Sequence, residues 1–109
     1  MELSKKEKQE IRKIIESGLQ REFANGLLEA DNILTAWKAN SKSNRDVYHQ
    51  LYKHIMDFDK HISRRYDRIS GSKYLFIIAG QLIDGVITEN DLSNLSKEVQ
   101  QAIKMIANI

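Results

Sequence analysis

The chain has 109 residues, 29% charged and 41% hydrophobic, which fits one folded domain and excludes a disordered segment. It contains no cysteine, so a disulfide framework, a zinc–thiolate site and a thiol nucleophile are all excluded. A net charge of +2 is too small to single out nucleic acid as a partner, and the longest apolar run, Tyr74 to Ala79, is far too short to cross a bilayer.

Proline is absent and only five glycines occur, which favours helices over strands. Ser4 followed by Glu7 is a capping box and starts the first helix. Ile11, Ile15, Leu19, Phe23 and Leu27 then recur every fourth residue, and the stripe continues through Leu34 to Trp37. The apolar phase survives Asn25-Gly26, so the pattern predicts one helix from Lys5 to about Ala39, with Gly26 as a candidate kink. Asn40 to Asn44 is the clearest loop. Ser43 with Asp46, or Asn44 alone, caps a second helix. That helix carries Val47, Tyr48, Leu51, Tyr52, Ile55, Phe58, Ile62 and Tyr66 on one face and runs to about Arg68.

Gly71-Ser72 breaks the pattern, with Ser72 as the expected cap of a third helix from Lys73 to Asp84. This helix is apolar almost all round, as in a core or a subunit contact. Gly85 reads as its C-terminal stop, and Thr88 with Asp91 as a capping box for a short helix. A last helix begins near Lys97. The expected fold is all-α, with two long amphipathic helices in residues 1–69 and a compact C-terminal helical head in 70–109. The head is too small to cover two long stripes along their length. Pairing of two copies through the long helices is therefore expected, with Leu27, Leu34, Trp37, Leu51 and Ile55 at the interface.

Three groups of residues suggest chemistry. The segment from Gly80 to Asp91 resembles a calcium-binding loop with Gly85 at its sixth position. Its first and third positions are Gly80 and Leu82, which offer no side-chain oxygen, so calcium binding is rejected. His54, Asp57 and His61 share one side of the second helix at steps of three and four. A single helix supplies all three and nothing points to a supporting shell, so they read as a polar flank and no metal or other cofactor is expected. Arg64, Arg65 and Arg68 form a basic patch that suits phosphate, nucleic acid or an acidic protein surface. Charge compensation at a helix C-terminus explains the same arginines, and no nucleic-acid motif accompanies them. There is no nucleophile elbow and no phosphate-cradling glycine loop, so the chain does not read as an enzyme.

Leu19 to Ala30 (LQREFANGLLEA), Arg64 to Arg68 (RRYDR) leading into YLFIIAGQLI, and the stretch from Asp84 to the end (DGVITENDLSNLSKEVQQAIKMIANI) occur in an order and over a length that resemble the fluorescence recovery proteins. The resemblance implies an all-helical homodimer joined through its long helices, without catalytic activity. Cyanobacterial members bind the photoactivated orange carotenoid protein and speed its return to the resting form. A rigid surface that prefers one conformation of its partner can do this by shifting the partner's equilibrium. Those members carry a Trp, His, Asp and Arg cluster on the middle helix. The corresponding positions here hold His49, Tyr52, Lys53 and Asp59, so those roles do not carry over.

The expected function is thus a cytoplasmic, dimeric regulator that binds a second protein, for which the family's own carotenoid-binding partner is one candidate. The expected partner surface is the exposed part of the second helix at His49, Tyr52, Lys53 and Arg64. The alternative is a nucleic-acid or acidic-partner module using Arg64, Arg65 and Arg68.

Overall fold

The structure is a computed structural model and describes residues 2–109. It is all-helical: α1 Lys5–Lys38, α2 Asn44–Tyr66, α3 Tyr74–Ile83 and α4 Lys97–Ala107, with short 3-10 turns at Gly71–Lys73 and Glu89–Leu92. The chain divides into two compact units, Met1–Arg21 with Arg68–Ile109, and Glu22–Asp67. The first will be called the head and the second the paired-helix unit. The division falls inside α1, so the head includes the first turns of that helix as well as the C-terminal residues.

In the head, the α1 residues Ile11 and Ile15 are buried, as are Ile78 on α3, Ile87 and Leu92 on the connection, and Ile103 on α4. Two caps fix this connection. At the end of α3, Gly85 adopts φ +71, the left-handed region that favours glycine. Its N–H donates to the Leu82 carbonyl, and the Val86 N–H donates to that of Gln81, the paired bonds of a Schellman stop. Chain reversal there turns Ile87 inward, to 2% exposure. The Thr88–Asp91 capping box then forms on both sides, although it opens only a 3-10 turn and not an α-helix.

Asp91 does more than cap. Arg21 donates to both of its oxygens, at 2.9 and 3.3 Å, and to the Val86 carbonyl at 3.2 Å. The Arg21 hydrogen bond, followed by the Thr88 backbone N–H, holds the Asp91 carboxyl down to about 2, below the ordinary carboxylate value. The oxygen that a calcium loop would need at its last position is already occupied.

Two capping expectations change in detail. Glu7 N–H donates to Ser4 Oγ at 3.1 Å, but the Glu7 carboxylate accepts from the backbone N–H of Ser96 at 3.4 Å and not from Ser4. Tertiary contact within the head takes the second half of the box. Ser72 does not cap the third helix. It lies inside the 3-10 turn with its hydroxyl on that of Ser70, and α3 starts two residues later, at Tyr74. The third helix is also less symmetric than its composition predicts. Tyr74, Ile77, Ile78 and Gln81 are buried, whereas Phe76 and Ile83 are more than half exposed.

In the paired-helix unit, Ser43 caps α2 by accepting from Asp46 N–H at 3.2 Å. The helix stops at Tyr66, two residues before Arg68, which takes a positive φ of 58. α1 continues unbroken through Gly26. That glycine has a packing reason: a Cβ there would lie 2.9–3.0 Å from the Phe58 ring. The missing side chain lets α1 and α2 approach closely.

Candidate functional site

The site is built on the two faces of the paired-helix unit, one turned inward and one left open. The inward seam is organised by a buried carboxylate. Glu22 on α1 is 5% exposed and accepts hydrogen bonds from three α2 side chains. His61 Nε2 lies 2.6 Å away, Arg65 Nη1 lies 3.0 Å away, and the Tyr66 hydroxyl donates to the second oxygen. A buried carboxylate is tolerated only when paired and hydrogen-bonded, and these three donors meet that condition. One turn along, His54 Nε2 donates to the Gly26 carbonyl at 2.9 Å. Phe58 sits between the two histidines, with tilted contacts to each and an edge-to-face contact with Phe23 at 6.0 Å.

This arrangement separates the three candidate metal ligands. His54 is held by Gly26, His61 by Glu22, and Asp57 by Lys53 at 2.9 Å. Among the described residues, no group of three His, Cys, Asp or Glu side chains is placed to hold a metal ion. The basic patch is also taken apart. Of its three arginines, Arg65 turns inward to Glu22 with its side chain 14% exposed, Arg64 stays exposed on α2, and Arg68 belongs to the head. The cause is Glu22, whose burial needs a guanidinium partner.

The open face is apolar. Two shallow grooves run along it. One, about 210 Å³, is lined by Leu34, Trp37, Tyr48 and Leu51 with Asn44. The other, about 250 Å³, is lined by Phe23, Leu27, Ile55 and Phe58 with Gly26 and Asp59. Leu27 and Tyr48 are exposed by 69% and 68%. The five residues expected at a subunit interface, Leu27, Leu34, Trp37, Leu51 and Ile55, all line these two grooves. Trp37 is anchored there by its Nε1–H, which donates to Asn44 Oδ1 at 2.7 Å.

The four expected partner-binding residues do not share one environment. His49, Lys53 and Arg64 are exposed, on the side of α2 away from Val47, Phe58 and the seam. Tyr52 is exposed too, but stands one turn from Tyr48 and Met56, at the border of the apolar face. Sequence reasoning did not single out Glu22. Its signal was its phase: it falls three residues after Leu19 and four before Gly26, on the inward line of α1 and not on the solvated side.

The fold and this site define an all-helical protein with a head that has its own buried core and a two-helix unit that leaves one long face open. No model of a known protein family matches the sequence, and no curated protein matches it. Among solved structures, the chain is similar to the fluorescence recovery protein from Synechocystis sp PCC 6803, in an Arg-to-Lys variant, at a TM-score of 0.81 and 22% identity. The match covers 99% of this chain and 100% of that one. The chain therefore has the fluorescence recovery protein fold. Among the described residues, no helix is long and apolar enough to cross a membrane.

Proposed function

We propose that this chain is a non-catalytic regulator that acts as a homodimer and binds a partner protein in the cytoplasm. The observation that carries the reading is the open apolar face of the paired-helix unit. Contiguous exposed apolar surface of this kind marks an interaction site. A second copy is the economical cover, because it brings an identical face and closes with two-fold symmetry. Dimerisation is assigned to the paired-helix unit, with Leu27, Leu34, Trp37, Leu51 and Ile55 at the contact.

Partner binding is assigned to the polar side of α2, at His49, Lys53 and Arg64. Tyr52, at the border, is shared with the dimer contact. The fluorescence recovery protein fold suggests the mechanism: a dimeric surface that binds one conformation of its partner better than another and shifts the equilibrium between them. The four altered positions at His49, Tyr52, Lys53 and Asp59 favour a partner surface different from that of the orange carotenoid protein.

Light scattering at micromolar protein tests the dimer, with twice the chain mass expected. Leu27→Glu is expected to give the monomer mass with helical content retained. A wild-type monomer would remove the dimer reading. Timing the red-to-orange decay of photoactivated orange carotenoid protein tests the family activity. The expected result is an unchanged decay at saturating dimer, and acceleration would extend that activity to this chain.

A further inference from the structure

We propose that the corner of the head between the first turns of α1 and the turn at Gly71–Lys73 binds a phosphate monoester. A cavity of about 450 Å³ opens there, lined by Glu2, Leu3, Lys8, Gly71 and Ser72. Its volume falls in the range of small-molecule sites, about 300–1,000 Å³. All of these residues belong to the head, and none lies in the paired-helix unit.

The corner carries unpaired positive charge. Lys5, Lys8 and Arg12 follow one another at steps of three and four along one side of α1, and Lys73 follows Ser72 directly. All four are exposed, and among the described residues none forms an ion pair. Elsewhere on the head Lys13, Arg21 and Lys104 each have a carboxylate partner. Cations near the start of a helix run against its dipole, so these do not serve to stabilise α1. Glu2 is the carboxylate among the lining residues, and Lys8 with Arg12, one turn along, outweighs it.

The donors are already in place. Arg12 Nε donates to the Tyr74 hydroxyl at 2.7 Å, and its guanidinium carbon lies 5.7 Å from the centre of that ring. Tyr74 is 6% exposed, so the core fixes the anchor. Both terminal nitrogens of Arg12 are without a partner among the described residues, and they keep the forked geometry that matches two phosphate oxygens. The hydroxyls of Ser70 and Ser72 lie 3.0 Å apart. One proton is used between them, which leaves the other for a further acceptor. Gly71 has no packing reason. A Cβ there would meet nothing within 4 Å, and Gly71 is not among the residues with positive φ. Glycine at that point leaves the backbone open to close approach by a ligand. A phosphate monoester brings close to two negative charges and three acceptor oxygens at neutral pH, which suits this set of donors. Its ester substituent would fill the rest of the cavity.

Amide NMR shifts are to be followed at low salt with inorganic phosphate, adenosine 5′-monophosphate and adenosine. The expected result is saturable shifts at Lys8, Gly71 and Ser72 with both phosphates and none with adenosine. Vesicles of phosphatidic acid carry the same group on a lipid. Their binding, with no response to the soluble ester, would support the phosphate chemistry with a lipid as its source. Gly71→Leu is expected to abolish the shifts and leave the unfolding midpoint unchanged, because its Cβ meets no neighbour. Lys8→Gln is expected to weaken binding several-fold. Lys13→Gln removes the same charge from a different side of α1 and is expected to leave binding unchanged. Equal weakening by Lys8→Gln and Lys13→Gln would reduce the effect to net charge and overturn the site. Full binding by Gly71→Leu, or no response to phosphate or to vesicles, would overturn it as well.

Discussion

The head and the paired-helix unit solve the same problem in opposite ways. In the head, Ile11, Ile78, Leu92 and Ile103 are fully buried, and its elements are stopped and started by caps that satisfy their own backbone groups. In the paired-helix unit, few large apolar residues are buried, chiefly Ile33, Val47 and Tyr66, while Leu27, Tyr48, Tyr52 and Ile55 stand at least half exposed. Two helices alone have no inside. Their seam is specified by a carboxylate and its donors, and their hydrophobic surface is left for another molecule. The head has a buried core of its own, although Phe76, Ile83 and Met105 stand exposed outside it, and the paired-helix unit has little core of its own.

The sharpest way to break this contrast is to remove Glu22. Glu22→Ala leaves Arg65, His61 and Tyr66 without their shared acceptor, and loss of one partner from a buried ionic cluster costs about 3–5 kcal/mol. The loss is expected in urea unfolding. Hydrogen exchange should rise first in the amides of α2, while those of α3 and α4 stay protected. Equal loosening of α4 would mean that the seam supports the head as well. Gly26→Val comes next. Its side chain must displace the Phe58 ring, and overpacking of this kind costs about 1–3 kcal/mol. Phe58→Leu in the same chain is expected to recover part of the loss, which a purely backbone effect would not allow.

Much of this contrast is legible in the sequence, and the limits have a physical pattern. Helix extents follow from apolar spacing and from Ser43 and Gly85, because those signals are local. The groove-lining residues Leu27, Leu34, Trp37, Leu51 and Ile55 fall on the apolar stripes read from spacing. Local reasoning fails where a distant residue competes for a side chain. Glu7 leaves its capping box for Ser96, and Arg65 leaves a surface patch for Glu22. His54 and His61 share a helix side, but their partners lie on α1. Gly26 reads as a kink in sequence because a close approach by Phe58 has no local signature.

Acid sharpens the comparison from the side of the head. The folded Asp91 carboxyl titrates near 2, below its ordinary value near 3.8, so the Arg21 pair contributes fully above about pH 4. That contribution fades as pH falls toward 2. Arg21 is nearly half exposed, so the pair is worth only about 1 kcal/mol. Asp91→Asn should lower stability by that amount at neutral pH and flatten the dependence between pH 4 and 2. An unchanged acid profile would assign the acid sensitivity elsewhere.

The smallest expected effect separates stability from function on α2. Lys53 and Asp57 form an exposed i,i+4 pair at 2.9 Å on the solvated side of that helix. Pairs of this kind hold a helix together weakly, and water screens them well. Lys53→Ala should therefore leave the unfolding midpoint and the dimer mass unchanged. If the polar side of α2 is the partner surface, the same change removes a charge there and weakens partner capture. A drop in stability would give Lys53 a structural role and move the partner surface to His49 and Arg64. In the head, the comparable exposed pair is Lys13 with Glu10 at 3.4 Å on α1, whereas Lys104 with Glu89 ties α4 to the turn that follows Gly85.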